Sequence, residues 1–302
     1  MKLFTLKASV GLGGQNQEED VLGVQRALNQ LSDRIQMDSL LQEDGVLSSE
    51  SDHSETCKAI GLFQKVIVGY SAPDYRIDAG GKTARMMSDL LLESDIKAAI
   101  SSVTESLFFN PITPITGLTD ADFLAAADKL NCDVKAIKAV SDVESSGYGF
   151  FNIGVPALLF EAHQFSKFTS HQYDDSNPNI SSRRWNRDLY LGGKKEYLRL
   201  NQAMMLNKEA ALLSASYGRY QIMGFNHNSA GFANVTEFVQ AMFESENNHL
   251  IAFVHFILDS RVLSDSIRSL DWATFAYHYN GPGYAKNKYD EKMQAAYERY
   301  TQ

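Results

Sequence analysis

Cysteine is nearly missing from these 302 residues, which hold only Cys57 and Cys132. The two stand far apart, and neither sits in a CxxC or Cys/His ligand spacing. A disulfide framework or zinc finger is therefore not expected, and two buried free thiols are. Long apolar runs are missing as well: none approaches the roughly 18 to 20 residues that span a bilayer. The opening MKLFTLKASVGLGG has too short an apolar core for a secretory signal. The expectation is a protein made in the cytoplasm, without a membrane segment, that reaches any other compartment by another route. Excess positive charge is also missing. The net charge of −9 divides into roughly −6 before residue 118 and roughly −3 after it. So acidic a chain is a poor partner for nucleic acid, whose phosphates require clustered Lys and Arg. The short cluster Arg183, Arg184, Arg187 reads as a solvated face. HExxH, G-x-S-x-G and Cys/His nucleophile patterns are missing too, which argues against a zinc amidase, a serine hydrolase and a cysteine amidase. His163 and His171 have no further ligand set beside them, so no metal is expected.

What is present is the composition of a soluble globular protein, 44% apolar and 22% charged, in a chain long enough for two domains with a core each. EEDVLGVQRALNQLSDRI sets Val21, Val24, Leu28 and Leu31 on one helical stripe, and CKAIGLFQKVIVGY does the same for Ile60, Phe63, Val66 and Ile67. Turn-forming residues separate them, and a third short helix is expected from about Thr83 to Leu92. Residues 1–95 thus read as a three-helix bundle without a catalytic constellation. Residues 96–117, with SSVTESLFFNPITPITGLTD, read as a linker whose Leu107, Phe108, Phe109 run docks on one of the domains. Helical signals resume at Asp120 and continue almost to the end, giving a second domain over 118–302.

In that domain VESSGYGFFNIGVPALLFEAHQF, at 143–165, holds two acids in apolar surroundings, Glu144 and Glu161. NCDVKAIKAVSDVESSG runs from a candidate N-cap, Asp133, to a candidate left-handed C-cap, Gly147, with Val134, Ile137, Val140 and Val143 as its buried stripe. Glu144 edges that stripe in the last turn. Desolvation and the partial negative charge of a helix C-terminus both disfavour its carboxylate, so its pKa is expected to rise, as a general acid near neutral pH requires. On helix position alone a solvated terminal Glu remains the rival reading.

The motif order extends further. ESSGYG is followed by SASYGRYQIMGFN at 214–226 and HYNGPGY at 278–284. This order resembles the goose-type lysozyme and lytic transglycosylase superfamily. More closely, the segment from about 118 to 302 is similar to the phage N-acetylmuramidase family of modular endolysins, through VESSGYGF, ALLFEAHQF, YLGGKKEYLRL, AALLSASYGRYQIMGFN, EFVQAMFESE and YNGPGY. Residues 17–92 resemble a peptidoglycan-binding domain through DVLGVQRALNQL, the Glu43, Asp44, Gly45 turn, TCKAIGLFQ and DYRIDAGGKT. The implied fold class is mainly α: a three-helix wall-binding bundle followed by a lysozyme-like helical catalytic domain with minor β.

The resemblance implies a monomeric enzyme without cofactor that cuts the glycan strands of peptidoglycan. It makes Glu144 the general acid and Glu161 a second acidic position, either catalytic or a buried acid paired with His163 or a nearby Arg. By the same resemblance Tyr217, Tyr220, Gln221 and Met223 line the sugar cleft, with Tyr279, Asn280 and Tyr284 on the opposite wall. Core packing is a serious alternative for each of these seven. Amides and tyrosines suit sugars because they join hydrogen bonding to flat apolar surface. The family implies synthesis in an infected bacterium and release to the wall through a pore made by a separate protein. Two rivals share the motifs: a lytic transglycosylase forming 1,6-anhydromuramic ends, and a non-catalytic wall-binding phage protein.

Overall fold

The computed structural model describes residues 4–47, 54–145 and 149–301. The chain divides into two compact units, Met1–Ala98 and Ala99–Gln302.

In the first unit a two-stranded antiparallel ladder, β1 (Val10–Gly11) on β2 (Arg76–Ile77), joins helices α1 (Glu18–Gln30), α2 (Ser32–Ile35) and α3 (Glu55–Phe63). Val21, Val24, Leu28 and Leu31 are all buried, as the 3.6-residue stripe of α1 predicts. The second stripe holds for Ile60 and Phe63 and then fails: Val66 is 47% exposed. The cause is a widening of the helix into a π turn over Gln64–Val68, ended by Gly69 at φ +79°. Extra residues per turn rotate Val66 outward and carry Gln64 inward. The Gln64 amide is fully buried, donating to Asp74 and to the Arg76 carbonyl and accepting from the Tyr75 N–H. Gln25 does the same for the turn at Asp44 and Gly45, whose two backbone N–H groups donate to its Oε1. Buried side-chain amides thus satisfy backbone that no ladder reaches.

Helix α4 (Lys82–Leu107) is much longer than the short helix expected and includes residues 96–107, read from sequence as the start of a linker. Ala84, Met87 and Leu91 enter the first unit's core, Val103 and Leu107 the second's. Leu107 is buried and Phe108 packs on Phe243 at 6.0 Å, while Phe109 is fully exposed.

The second unit is mainly helical. Helices α5 (Asp120–Leu130) and α6 (Val134–Ser145) come first, then strand β3 (Leu158–Phe160) and helix α7 (Ala162–Phe168). After a long irregular segment follow α8 (Glu196–Leu206), α9 (Lys208–Leu213) and the hairpin β4 (Ala215–Tyr217), β5 (Ile222–Met223). The sheet order is β3-β4-β5, antiparallel, with Leu158 opposite Tyr217 and Ser216 opposite Met223. Six helices complete the described chain: α10 (Val235–Glu244), α11 (Glu246–Asp259), α12 (Arg261–Ser269), α13 (Trp272–Asn280), α14 (Tyr284–Asn287) and α15 (Tyr289–Arg299). Leu250, Ala252, Phe253, Val254 and Ile257 of α11 lie in the middle of the core. Among the described residues no helix is long and apolar enough to cross a membrane.

Candidate active site

Helix α6 carries the first acid. Its start is held by Asp133, whose carboxylate accepts from the Lys135 N–H, and Ile137 and Val140 are fully buried. Helix α15 braces it: the Tyr297 hydroxyl donates to Asp133 and the Tyr300 hydroxyl to Asp142. On its inner side Ser141 accepts from Arg219 Nε at 2.8 Å and from the Tyr220 hydroxyl at 3.1 Å, tying α6 to the β4–β5 turn. Glu144 follows Ser141 by three residues and is half-buried in the last turn. Burial pushes its pKa up to about 7, against a smaller downward pull from its hydrogen bond to Asn280. Asn280 Nδ2 donates to both carboxylate oxygens, at 2.9 and 3.2 Å, while Asn280 Oδ1 is buried with no hydrogen-bond partner among the described residues. Asn280 ends α13, and Gly281 at φ +85° turns the chain away. The Gly147 C-cap expected from sequence lies outside the described residues.

Glu161 is the N-cap residue of α7, yet its carboxylate caps nothing. It faces sideways: the Tyr190 hydroxyl lies 2.7 and 2.8 Å from its two oxygens, and His163 Nδ1 lies 3.1 Å from Oε2 without hydrogen-bond alignment. Its backbone N–H donates to the Ser214 carbonyl, which seats it against the turn between α9 and β4. Its carboxyl oxygens meet the Tyr190 hydroxyl in place of the helix N–H groups. Tyr190 receives a hydrogen bond in turn from Trp185 Nε1 at 2.7 Å.

A network behind the site fixes its loops. Glu246 accepts from the backbone N–H groups of Gly149 and Gly117 and lies 3.5 Å from Arg219. His249 accepts from the Arg219 N–H, donates to the Met242 carbonyl and stacks on Phe150 with centroids 5.0 Å apart. Burial pushes its pKa down to about 4.

Residues 133–301, which include both acids, match the model of the N-acetylmuramidase family. The chain belongs to this family. A Burkholderia AP3 phage endolysin of known crystal structure is 31% identical, with 97% of this chain and 98% of that one covered at a TM-score of 0.58. No curated protein matches. As an N-acetylmuramidase the protein is a glycoside hydrolase of the lysozyme type, and peptidoglycan is its substrate.

The muramidase fold treats the other expected cleft residues unequally. Tyr217 and Tyr220 are core residues, 1% and 2% exposed, with hydroxyls on the Leu212 carbonyl and on Ser141. They shape the hairpin and α6 from behind and offer no open surface to a sugar. Gln221, at φ +48°, uses both amide protons on the Ala157 and Gly218 carbonyls and accepts from Ser216, so it locks the β4–β5 turn. Met223 is half-buried at the end of that hairpin. Tyr279 packs on Phe275 and donates to the Tyr220 carbonyl, and proximity to Glu144 adds to burial in raising its pKa. Tyr284 is half-buried on α14 beside Tyr277. Of the seven, Asn280 alone hydrogen-bonds a candidate catalytic carboxylate among the described residues. Tyr190, Trp185 and Tyr289, whose pKa is raised by burial and by Glu144, were not singled out by sequence.

Proposed function

We infer that this N-acetylmuramidase is an endolysin, which hydrolyses the β-1,4 bond between N-acetylmuramic acid and N-acetylglucosamine to lyse the host cell. The observation that carries the catalytic assignment is Glu144, half-buried at a helix C-terminus with a pKa near 7 and one amide on its carboxylate. At neutral pH a large share of such a group is protonated. It donates its proton to the glycosidic oxygen as the bond from the muramic C1 breaks, and is left as a carboxylate that Asn280 Nδ2 stabilises. Asn280 Oδ1, without a partner among the described residues, supplies an acceptor for a substrate hydroxyl or N-acetyl N–H beside the reacting centre. Glu161, oriented by Tyr190, is the second carboxyl group. It activates the attacking water in an inverting reaction or attacks C1 in a retaining one.

The first unit is a peptidoglycan-binding module, which raises the enzyme's local concentration on an insoluble substrate. Its small helical core and the pinned turn at Gly45 support this reading. The protein acts as a monomer without cofactor, made in the host cytoplasm and released to the wall through a separate pore. Glu144→Gln removes the proton donor at constant shape, and at least a thousandfold loss of peptidoglycan cleavage is expected. Retention of cleavage would overturn the assignment. Full lysis by Glu161→Gln would reduce Glu161 to a scaffold. Mass spectrometry of the products checks hydrolysis, which leaves reducing muramic ends, against 1,6-anhydro ends.

A further inference from the structure

The segment between α7 and α8 carries an aromatic side chain, Trp185, that the reaction above does not use. Trp185 is 59% exposed, although its only polar atom, Nε1, is already committed to the Tyr190 hydroxyl. What Trp185 shows to water is therefore aromatic carbon. Such exposure is common for a loose side chain, yet this one is mounted rigidly. Its ring meets Tyr190 edge-on at 6.4 Å. Tyr190 lies over the Arg199 guanidinium, 5.9 Å from the ring centroid. The next two backbone N–H groups, of Leu191 and Gly192, both donate to Glu196 Oε1, and Glu196 Oε2 pairs with Arg199 at 2.8 Å. Glu196 and Arg199 are buried. A buried ion pair is an expensive way to hold a surface loop, and it makes sense where the loop must present something in a fixed place.

We propose that Trp185 is a sugar-stacking subsite, binding the apolar face of a pyranose ring of the glycan strand next to Glu161. Two hydrogen bonds separate the indole from the Glu161 carboxylate, a span comparable to one sugar residue. An aromatic face of this kind takes the C–H face of a pyranose, leaving the sugar hydroxyls to water and to polar neighbours. Arg184 and Arg187, both exposed on the same segment, give it positive charge within an acidic chain. That suits a glycan whose muramic residues bear carboxylates. Read from sequence as a solvated face, the arginines become part of the approach to the site. The subsite rests on the muramidase reading above.

The test uses the full chain carrying Glu144→Gln and a soluble tetrasaccharide of alternating N-acetylglucosamine and N-acetylmuramic acid. The chain has two tryptophans, Trp185 on the surface and Trp272 in the core. Binding should give a saturable shift in tryptophan emission that disappears when Trp185→Phe is added. By calorimetry Trp185→Ala should bind about tenfold more weakly. Three results would overturn the proposal: no calorimetric binding, an emission response that survives Trp185→Phe, or unchanged affinity in Trp185→Ala. Its failure is distinct from failure of the muramidase reading, which would show as intact peptidoglycan after treatment with the unaltered enzyme.

Discussion

Removing the Asn280 amide gives a signed test of how Glu144 is tuned. Burial raises the Glu144 pKa to about 7, and the hydrogen bond from Asn280 is the force pulling it down. Asn280→Ala deletes that pull and leaves Glu144 on the same turn of α6, so the pKa must go higher. Hydrogen bonds to charged groups contribute about 1.5 to 3 kcal/mol, or about one to two pKa units at 1.36 kcal/mol each. The shorter side chain admits water, which recovers part of this, so about one unit is expected. A general acid works only while protonated, and activity falls as pH rises through its pKa. The alkaline limb of kcat/KM, which reports the free enzyme, should therefore stand near pH 7 for the unaltered protein, and in Asn280→Ala about one unit higher. Protonation of the leaving group then loses the stabilisation of the carboxylate left on Glu144, so the rate at the plateau should drop while the limb moves up. Rates on purified peptidoglycan across pH 5 to 9 in a constant-ionic-strength buffer measure both. An alkaline limb that stays in place or moves down would refute this account of Glu144.

Three further outcomes concern the scaffold. His249 is held neutral in the core with its pKa pushed down to about 4, so the unfolded chain binds a proton that the fold excludes. The second unit should be fully stable above pH 6.5 and lose up to about 3 kcal/mol as pH falls from 6.5 towards 4, which urea titrations at several pH values would show as a falling midpoint. A flat profile would contradict it. Gly218 stands at φ +72°, and a Cβ there would meet the His249 ring at 2.8 Å. Gly218→Ala should cost roughly 2 to 4 kcal/mol, read as a lowered melting temperature; an unchanged melt would mean that the His249 ring can give way. Glu196→Ala strands the buried Arg199 and frees the Leu191 and Gly192 N–H groups, a loss of about 3 to 5 kcal/mol in chemical denaturation. Wild-type stability in that variant would mean that the loop does not depend on the pair.

The burial of the first stripe of α1 and the meeting of Asn280 with Glu144 were legible because each follows a local rule, helical periodicity or a motif of fixed spacing. Where the local rule changes, legibility stopped. Val66 was misplaced because a π turn alters the period from Gln64 onward, and nothing in QKVIV announces the widening. Helix α4 ran past its expected end because Val103 and Leu107 find a core to bury in, which outweighs the weak propensity of a Ser- and Thr-containing stretch. Tyr217 and Tyr220 read equally well as sugar-binding or packing residues, since a tyrosine serves both, and only the fold shows that both rings are buried. Tyr190 and Trp185 were silent because the 169–195 segment has no period, and Tyr190 meets Glu161 at a sequence separation of 29, across α7 and the irregular chain that follows it. The exposed aromatic in RRWNR was the available signal.

Glu144 as a carboxyl group that holds its proton near neutrality is the claim from which the mechanism follows. Carbon-13 NMR of the full chain labelled at the glutamate side-chain carboxyl groups measures it directly. One glutamate should titrate near pH 7, vanish from the spectrum in Glu144→Gln, and match the alkaline limb of kcat/KM. If the resonance lost in Glu144→Gln titrates near 4.5 like an ordinary glutamate, Glu144 is ionised at neutral pH and is not the acid that starts the reaction.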